Sequence, residues 1–303
     1  MCDSIDFDER LELFFGGASN AVAHVYARVR EVEADGRCTL SGSLSGPECQ
    51  YAQTLPARFD FVDRGPGASI LAAATVPDPC YWTPQMPHLY RATVSLMRDG
   101  KVVGSAVRVV GMRRLGAVGR DLRFDNQRWV VRGIALDAAR SLEALTACHG
   151  ASAALVVHEP SDELCQRASC AGVLLVAQLN QGNIAAIRHL SRWPAVGIIV
   201  LRSADPATDQ ALNALGRVCV LAQRFGPEEN VVPQRWAQVA VVDVGDLQSL
   251  PQRIAGADLP LIAHRPWNAA KEIEPARAEC DRLQRDLAAS GALAGADWAG
   301  YVV

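Results

Sequence analysis

The chain has 303 residues, half of them hydrophobic, and a formal net charge of −3. That length makes one large domain or two ordinary ones, each with a sizeable core. Arginines scattered rather than striped leave no electrostatic footprint for DNA or RNA, and no run approaches the roughly 20 apolar residues of a membrane span.

The first residues, Met1-Cys2-Asp3-Ser4-Ile5-Asp6-Phe7-Asp8, are acidic and carry no apolar signal core, so a cytoplasmic location is expected. The nine cysteines include no Cys-x-x-Cys pair and stand near no cluster of histidines. They read as buried thiols of a reducing compartment, without a metal site. From about residue 8 to 118 the pattern alternates with period two, as in Ala21–Val29, Cys38–Leu44 and Leu89–Leu96. Arg98-Asp99-Gly100-Lys101 supplies an Asp-Gly hairpin turn into Val102–Val110. Short strands at this spacing predict an antiparallel sandwich of about 100 residues.

From about residue 127 the texture becomes βα alternation. Eight apolar runs follow: 129–134, 153–157, 173–177, 196–201, 218–222, 239–244, 259–263 and 298–303. Unbroken Val/Ile/Leu runs are strands buried on both faces. Eight of them with helices between make a (β/α)8 TIM barrel, compact against the usual roughly 200–250 residues. Helices are expected over 162–168, 183–190, 205–215, 247–255 and 275–289. Pro227 and Pro233 weaken the one after Phe225, and none is expected after the eighth strand. Gly-x-Gly-x-x-Gly is absent, so no nucleotide cofactor is expected. The expected division is 1–118 for the sandwich and 119–303 for the barrel.

The succession Tyr81-Trp82-Thr83-Pro84-Gln85-Met86-Pro87-His88-Leu89-Tyr90, then Gly111-Met112-Arg113-Arg114, then Phe124-Asp125-Asn126-Gln127-Arg128-Trp129-Val130-Val131-Arg132-Gly133 resembles the sandwich–barrel junction of glycoside hydrolase family 2. That group contains β-galactosidases, β-glucuronidases and β-mannosidases. The resemblance covers the sandwich and barrel core and implies an immunoglobulin-like sandwich followed by a catalytic barrel. In the family register the second barrel strand ends in His-x-Pro, here His158-Glu159-Pro160, with Leu155 where the family has arginine. The third strand ends in an acid, here Gln178. The acid/base glutamate follows an asparagine after the fourth strand; Ala204-Asp205 stand there, after Arg202. The nucleophile glutamate ends the seventh strand; the register puts Arg265 in its place, beside His264 and ahead of Trp267.

Retaining hydrolysis needs two carboxyls about 5 Å apart. Arginine stays protonated and offers no lone pair for attack, and Asp205 is one methylene short of glutamate. An inverting pair, about 6.5–9.5 Å apart, would have to be rebuilt from Asp137, Glu159, Asp205, Asp243 and Asp246 at strand ends, where barrel enzymes keep their chemistry. Asp205 before Pro206 also reads as a helix N-cap, and His264-Arg265 as one side of an ion pair with Asp243 or Asp246. The balance falls against enzyme activity. The leading expectation is a catalytically silent carbohydrate-binding or interaction module, with His158, Glu159, Gln178, Arg202, His264, Arg265 and Trp267 as ligand-contacting candidates. The alternatives are a glycosidase with a rebuilt acid pair including Asp205, and a scaffold whose mouth is plugged by Arg202 and Arg265. Apolar surface left beside the eighth strand makes a second copy or a macromolecular partner the expected cover.

Overall fold

A computed structural model describes residues 7–30, 37–267, 272–290, 293 and 296–303. The chain divides into two compact units, residues 1–82 with 86–112 and residues 83–85 with 113–303.

The first unit is an antiparallel sandwich of the immunoglobulin-like kind. It comprises α1 (Phe7–Arg10), β1 (Leu11–Gly16), β2 (Val22–Val29), β3 (Cys38–Glu48), β4 (Ala57–Asp63), β5 (Ile70–Pro77), β6 (Leu89–Arg98) and β7 (Lys101–Val110), in the order β1-β2-β5-β4-β3-β6-β7. Strand β4 joins the layers: Ala57–Phe61 pair with β3, then Val62 and Asp63 pair with β5. The period-two pattern sends Ala23, Val25, Ala27 and Val29 of β2 and Tyr90, Ala92, Val94 and Leu96 of β6 into one core. Asp99 and Gly100 both have positive φ, 49° and 75°, as the Asp-Gly hairpin requires. Trp82 is fully buried, its backbone N–H donating to the Met112 carbonyl at 2.6 Å.

The second unit opens with a three-stranded antiparallel sheet: β8 (Leu115–Val118), β9 (Asp121–Phe124) and β10 (Gln127–Arg128). A closed parallel barrel follows. Its elements are β11 (Val131–Ala135), α2 (Ala138–Gly150), β12 (Ala154–His158), α3 (Asp162–Ala171), β13 (Leu175–Leu179), α4 (Ile184–Ser191), β14 (Val196–Leu201), a 3-10 turn (Pro206–Thr208), α5 (Asp209–Leu215), β15 (Val220–Phe225), β16 (Val239–Asp243), α6 (Leu250–Ile254), β17 (Leu261–His264), α7 (Ile273–Ala289) and β18 (Trp298–Val302). Each of the eight apolar runs overlaps a barrel strand. Several strands start about two residues into their run, for identifiable reasons. Trp129 follows β10, its N–H donating to the Leu122 carbonyl of β9 and its ring edge-on to Phe124 at 5.6 Å. Val173 and Val218 close the preceding helices, donating to the carbonyls of Ala168 and Leu215.

The helix layer departs from expectation at two places. No helix lies between β15 and β16. Residues 226–238 form a loop tied down by Arg253, whose guanidinium donates to the carbonyls of Gly226, Glu229 and Asp243. Beside the eighth strand, the long α7 packs on both β18 and β11. Ala276, Cys280, Leu283 and Leu287 of α7 are buried, and so are all five residues of β18. The apolar surface expected to stand exposed there is therefore already covered by the chain itself.

The N-terminal end of the barrel is braced by a buried arginine. Arg113 is buried and donates to the carbonyls of Trp193, Pro194 and Val218, which precede β14 and β15. Burial pushes its guanidinium down to about 10, which still leaves it charged at neutral pH. Gly172 ends α3 at φ 66°, where a Cβ would stand 2.2 Å from the Pro84 carbonyl oxygen, so glycine is required on both counts. None of the described helices is long and apolar enough to cross a membrane.

Candidate functional site at the barrel mouth

Side chains alternate along a strand, so one fixed residue assigns the rest. Arg132 of β11 faces the helix layer: its Nε donates to Asp281 of α7 at 3.1 Å, and its guanidinium lies 4.7 Å from the centre of the Tyr301 ring of β18. Gly133 and Val302 then face inward, and a Cβ on Gly133 would meet the Val302 and Val156 side chains at about 3 Å (2.8 and 3.0 Å). Carried around the barrel by strand register, the inward residues at the C-terminal ends are Ala135, His158, Gln178, Arg202, Arg224, Asp243, His264 and Val302.

Three consecutive strands contribute an ion cluster to this ring. Arg224 of β15 forks onto Asp243 of β16, Nε to Oδ1 at 3.1 Å and Nη2 to Oδ2 at 3.1 Å. The Nδ1 of His264 on β17 lies 2.6 Å from the same Oδ1. Asp243 and His264 expose only 13% and 7% of their side chains. Burial alone would raise the Asp243 carboxyl. Hydrogen bonds from His264 and then Arg224, with the positive charge beside them, outweigh it and hold the carboxyl below its usual value. The backbone beneath is braced as well. Gln223 Nε2 donates to the Arg202 carbonyl at 3.2 Å, and Gln234 of the 226–238 loop accepts from the Ala204 N–H at 3.1 Å.

The other side of the ring is open. Ala135, His158 and Arg202 are exposed, and Gln178 is half-buried. The structure thus brings His158, Gln178, Arg202 and His264 to one mouth. It takes Arg265 elsewhere: one residue past the inward His264, it donates to Asp286 of α7 at 2.6 Å. Glu159 is exposed at φ 44°, its N–H donating to the Gln178 carbonyl at 3.0 Å. Trp267, half-buried, follows β17 by three residues, and no hydrogen bond or ring contact among the described residues ties it to the mouth.

The remaining carboxylates have local duties. Asp205 caps the 3-10 turn, accepting from the Ala207 N–H at 2.9 Å. Asp137 caps α2 by accepting from the Arg140 N–H at 2.9 Å. Asp246 accepts from the Gln248 N–H at 3.0 Å in a side-chain turn. Arg224 went unnoticed in the sequence. The signal available was period two, Val220–Ala222–Arg224, carried past the end of the apolar run.

Sequence and structure comparisons meet these observations from outside. A sequence model of the family described as Glycosyl hydrolases family 2 matches residues 18–113. No curated protein matches the chain. Three solved structures are similar to it. One is Bacteroides uniformis β-glucuronidase 2 covalently bound to cyclophellitol-6-carboxylate aziridine, at 14% identity over 96% of this chain and 45% of that one, TM-score 0.60. A glycosyl hydrolase family 2 member from Bacteroides cellulosilyticus DSM 14838 matches at 11% identity over 97% and 45%, TM-score 0.62. A β-glycosidase from Bacteroides vulgatus matches at 11% identity over 86% and 38%, TM-score 0.60. At these identities the likeness is one of fold, and the chain spans about half the length of the solved structures it matches. The class is therefore a sandwich-plus-barrel protein whose fold resembles that of family 2 glycoside hydrolases. The resemblance to family 2 rests on sequence in the sandwich and on fold across both units.

Proposed function

We propose that this chain is a non-hydrolytic relative of family 2 glycoside hydrolases that binds carbohydrate at the C-terminal mouth of its barrel. The observation that carries the reading is the composition of the inward ring. Among its eight strand ends Asp243 is the one carboxylate, and it is engaged by Arg224 and His264. Either glycosidase mechanism needs two converging carboxyls. Asp137, Asp205 and Asp246 are spent on backbone N–H groups. The exposed His158 and Arg202, with Gln178 beside them, supply donors and acceptors of the kind that recognise hydroxyl groups. The free thiols, several of them buried, support a reducing, cytoplasmic setting.

The test pairs a binding screen with an activity screen. A ligand that binds the native state raises the melting temperature by mass action. Mono- and oligosaccharides should give a concentration-dependent rise that His158→Ala and Arg202→Ala reduce, and aryl glycosides should release no aglycone above background. Turnover that disappears in Asp243→Asn or Asp205→Asn would overturn the non-hydrolytic part. The absence of any shift at millimolar sugar would overturn the binding part.

A further inference from the structure

We propose that His264 is the hydrogen-bond acceptor for a ligand hydroxyl in the barrel mouth, held in the required tautomer by Asp243 and Arg224, and that the ligand is a neutral polyhydroxylated molecule of monosaccharide size. This rests on the carbohydrate reading above and adds the residue, the atom and the ligand charge.

The argument begins at Asp243. An ionised carboxylate only accepts hydrogen bonds, so the 2.6 Å contact between its Oδ1 and His264 Nδ1 takes its proton from Nδ1; the Arg224 Nη2 that stands 3.2 Å from the same nitrogen already donates to Oδ2. A neutral imidazole has one N–H, which leaves Nε2 with its lone pair. Nε2 has no hydrogen-bond partner among the described residues. The His264 side chain keeps 7% of its surface in contact with solvent. His264 is an inward residue at a C-terminal strand end, and that solvent is the mouth. The imidazole has no freedom to turn away, because Arg224 clamps both oxygens of the carboxylate that holds it.

Ligand charge follows from the neighbours. The charged groups facing the imidazole are Asp243 from β16 and Arg224 from β15, and they cancel. On the β18 side its register partner is Val302, and Arg265 is directed at Asp286. With the imidazole neutral, this wall offers a ligand an uncharged acceptor, matched by a hydroxyl. Arg202 across the mouth is exposed and solvated, so an anion gains little there. An eight-stranded barrel has room at its mouth for a ligand of about one sugar ring.

The experiment uses the full chain with 15N-labelled histidine at mildly alkaline pH. Long-range proton–nitrogen spectra should show His264 protonated at Nδ1 and bare at Nε2, and addition of glucose, galactose or mannose should move the Nε2 resonance. Affinity by calorimetry should fall about tenfold in His264→Gln, the scale of one lost hydrogen bond. It should fall similarly in Asp243→Asn, whose amide can donate to Nδ1 and drive the proton to Nε2. Should His264→Gln fail to fold, Asp243→Asn and the wild-type spectra still decide. A free protein carrying its proton on Nε2 overturns the proposal. So does a sugar that binds without moving Nε2 and retains its affinity in Asp243→Asn, although the carbohydrate reading would survive that result. Binding confined to sugar acids and dependent on Arg202 overturns the neutral class. A wild type that binds no sugar overturns both readings.

Discussion

The two sides of the barrel mouth are built from equivalent strand ends, yet they differ in what is fixed. On β15–β17, Arg224, Asp243 and His264 are largely withdrawn from water and bonded to one another. On β11–β14, Ala135, His158 and Arg202 stand in solvent. Withdrawing a charge from water is costly unless it is paired and hydrogen-bonded, so the buried side had to become a closed set. The exposed side carries no such constraint. Adaptability to a ligand therefore belongs to β11–β14, while β15–β17 provides a rigid wall.

Removing the hub should break that contrast most sharply. Asp243→Ala leaves a half-buried guanidinium and a buried imidazole facing each other without their carboxylate, which should cost about 3 kcal/mol of stability. The same truncation across the mouth, His158→Ala, should stay within about 0.5 kcal/mol because the side chain is already in water. Urea unfolding of both variants measures the difference. Equal losses would mean that the two walls are not mechanically distinct.

Acidification probes the same wall. The Asp243 carboxyl is held below its ordinary value of 3.8 in the folded chain. Its stabilising contribution is therefore fully present above about pH 4 and is lost as the pH falls through the lower folded value. Unfolding midpoints of the wild type should drop below about pH 4, and Asp243→Asn should flatten part of that slope. Asp162 is also lowered: burial would raise it, but His189, Arg192 and Trp193 outweigh that. Its cluster on α3 and α4 is half-exposed, so added salt should erode its share and leave that of Asp243 largely intact. An acid slope wholly suppressed by salt would place it on the surface.

These contrasts were legible in the sequence only in part. The eight strands could be read because a strand covered on both faces must be apolar throughout. The same property hides which face is inward, since alternation carries no signal when both faces are apolar. His264 and Arg265 are adjacent, and deciding which enters the barrel needs the closed register that continues inward from Ile262. Arg265 stood in the nucleophile's place by alignment, whereas geometry turns it to Asp286. The α7 cover over β18 was illegible for another reason. It depends on where a helix lands after its connection, which no local pattern encodes. Asp205 lay at the other extreme, because Asp-Pro-Ala-Thr contains the cap, the first-turn proline and the turn in four residues.

Arg265→Ala sharpens the comparison between inward and outward residues on one strand. The Arg265–Asp286 pair is 28% and 39% exposed, so screening limits its worth to about 0.5–1 kcal/mol. Its loss should lower stability slightly and leave sugar affinity unchanged. A loss of affinity without a loss of stability would return Arg265 to the mouth.

Asp205 should give a comparably small effect and the cleanest separation of roles. Its carboxylate accepts from the Ala207 N–H, and its own carbonyl accepts from the Thr208 hydroxyl at 2.6 Å. Alanine keeps the second bond and loses the first, so Asp205→Ala should cost about 1 kcal/mol or less. Serine can still accept from a turn N–H, so Asp205→Ser should recover most of that loss. A residue that touched ligand would behave differently. Serine is shorter and uncharged, so a ligand-induced rise in melting temperature would shrink in both variants whatever their stability. Recovery by serine together with an unchanged ligand response confines Asp205 to the turn. It also removes the last carboxylate that family register would place at the chemistry, and leaves His264 as the group on which a different chemistry of recognition must rest.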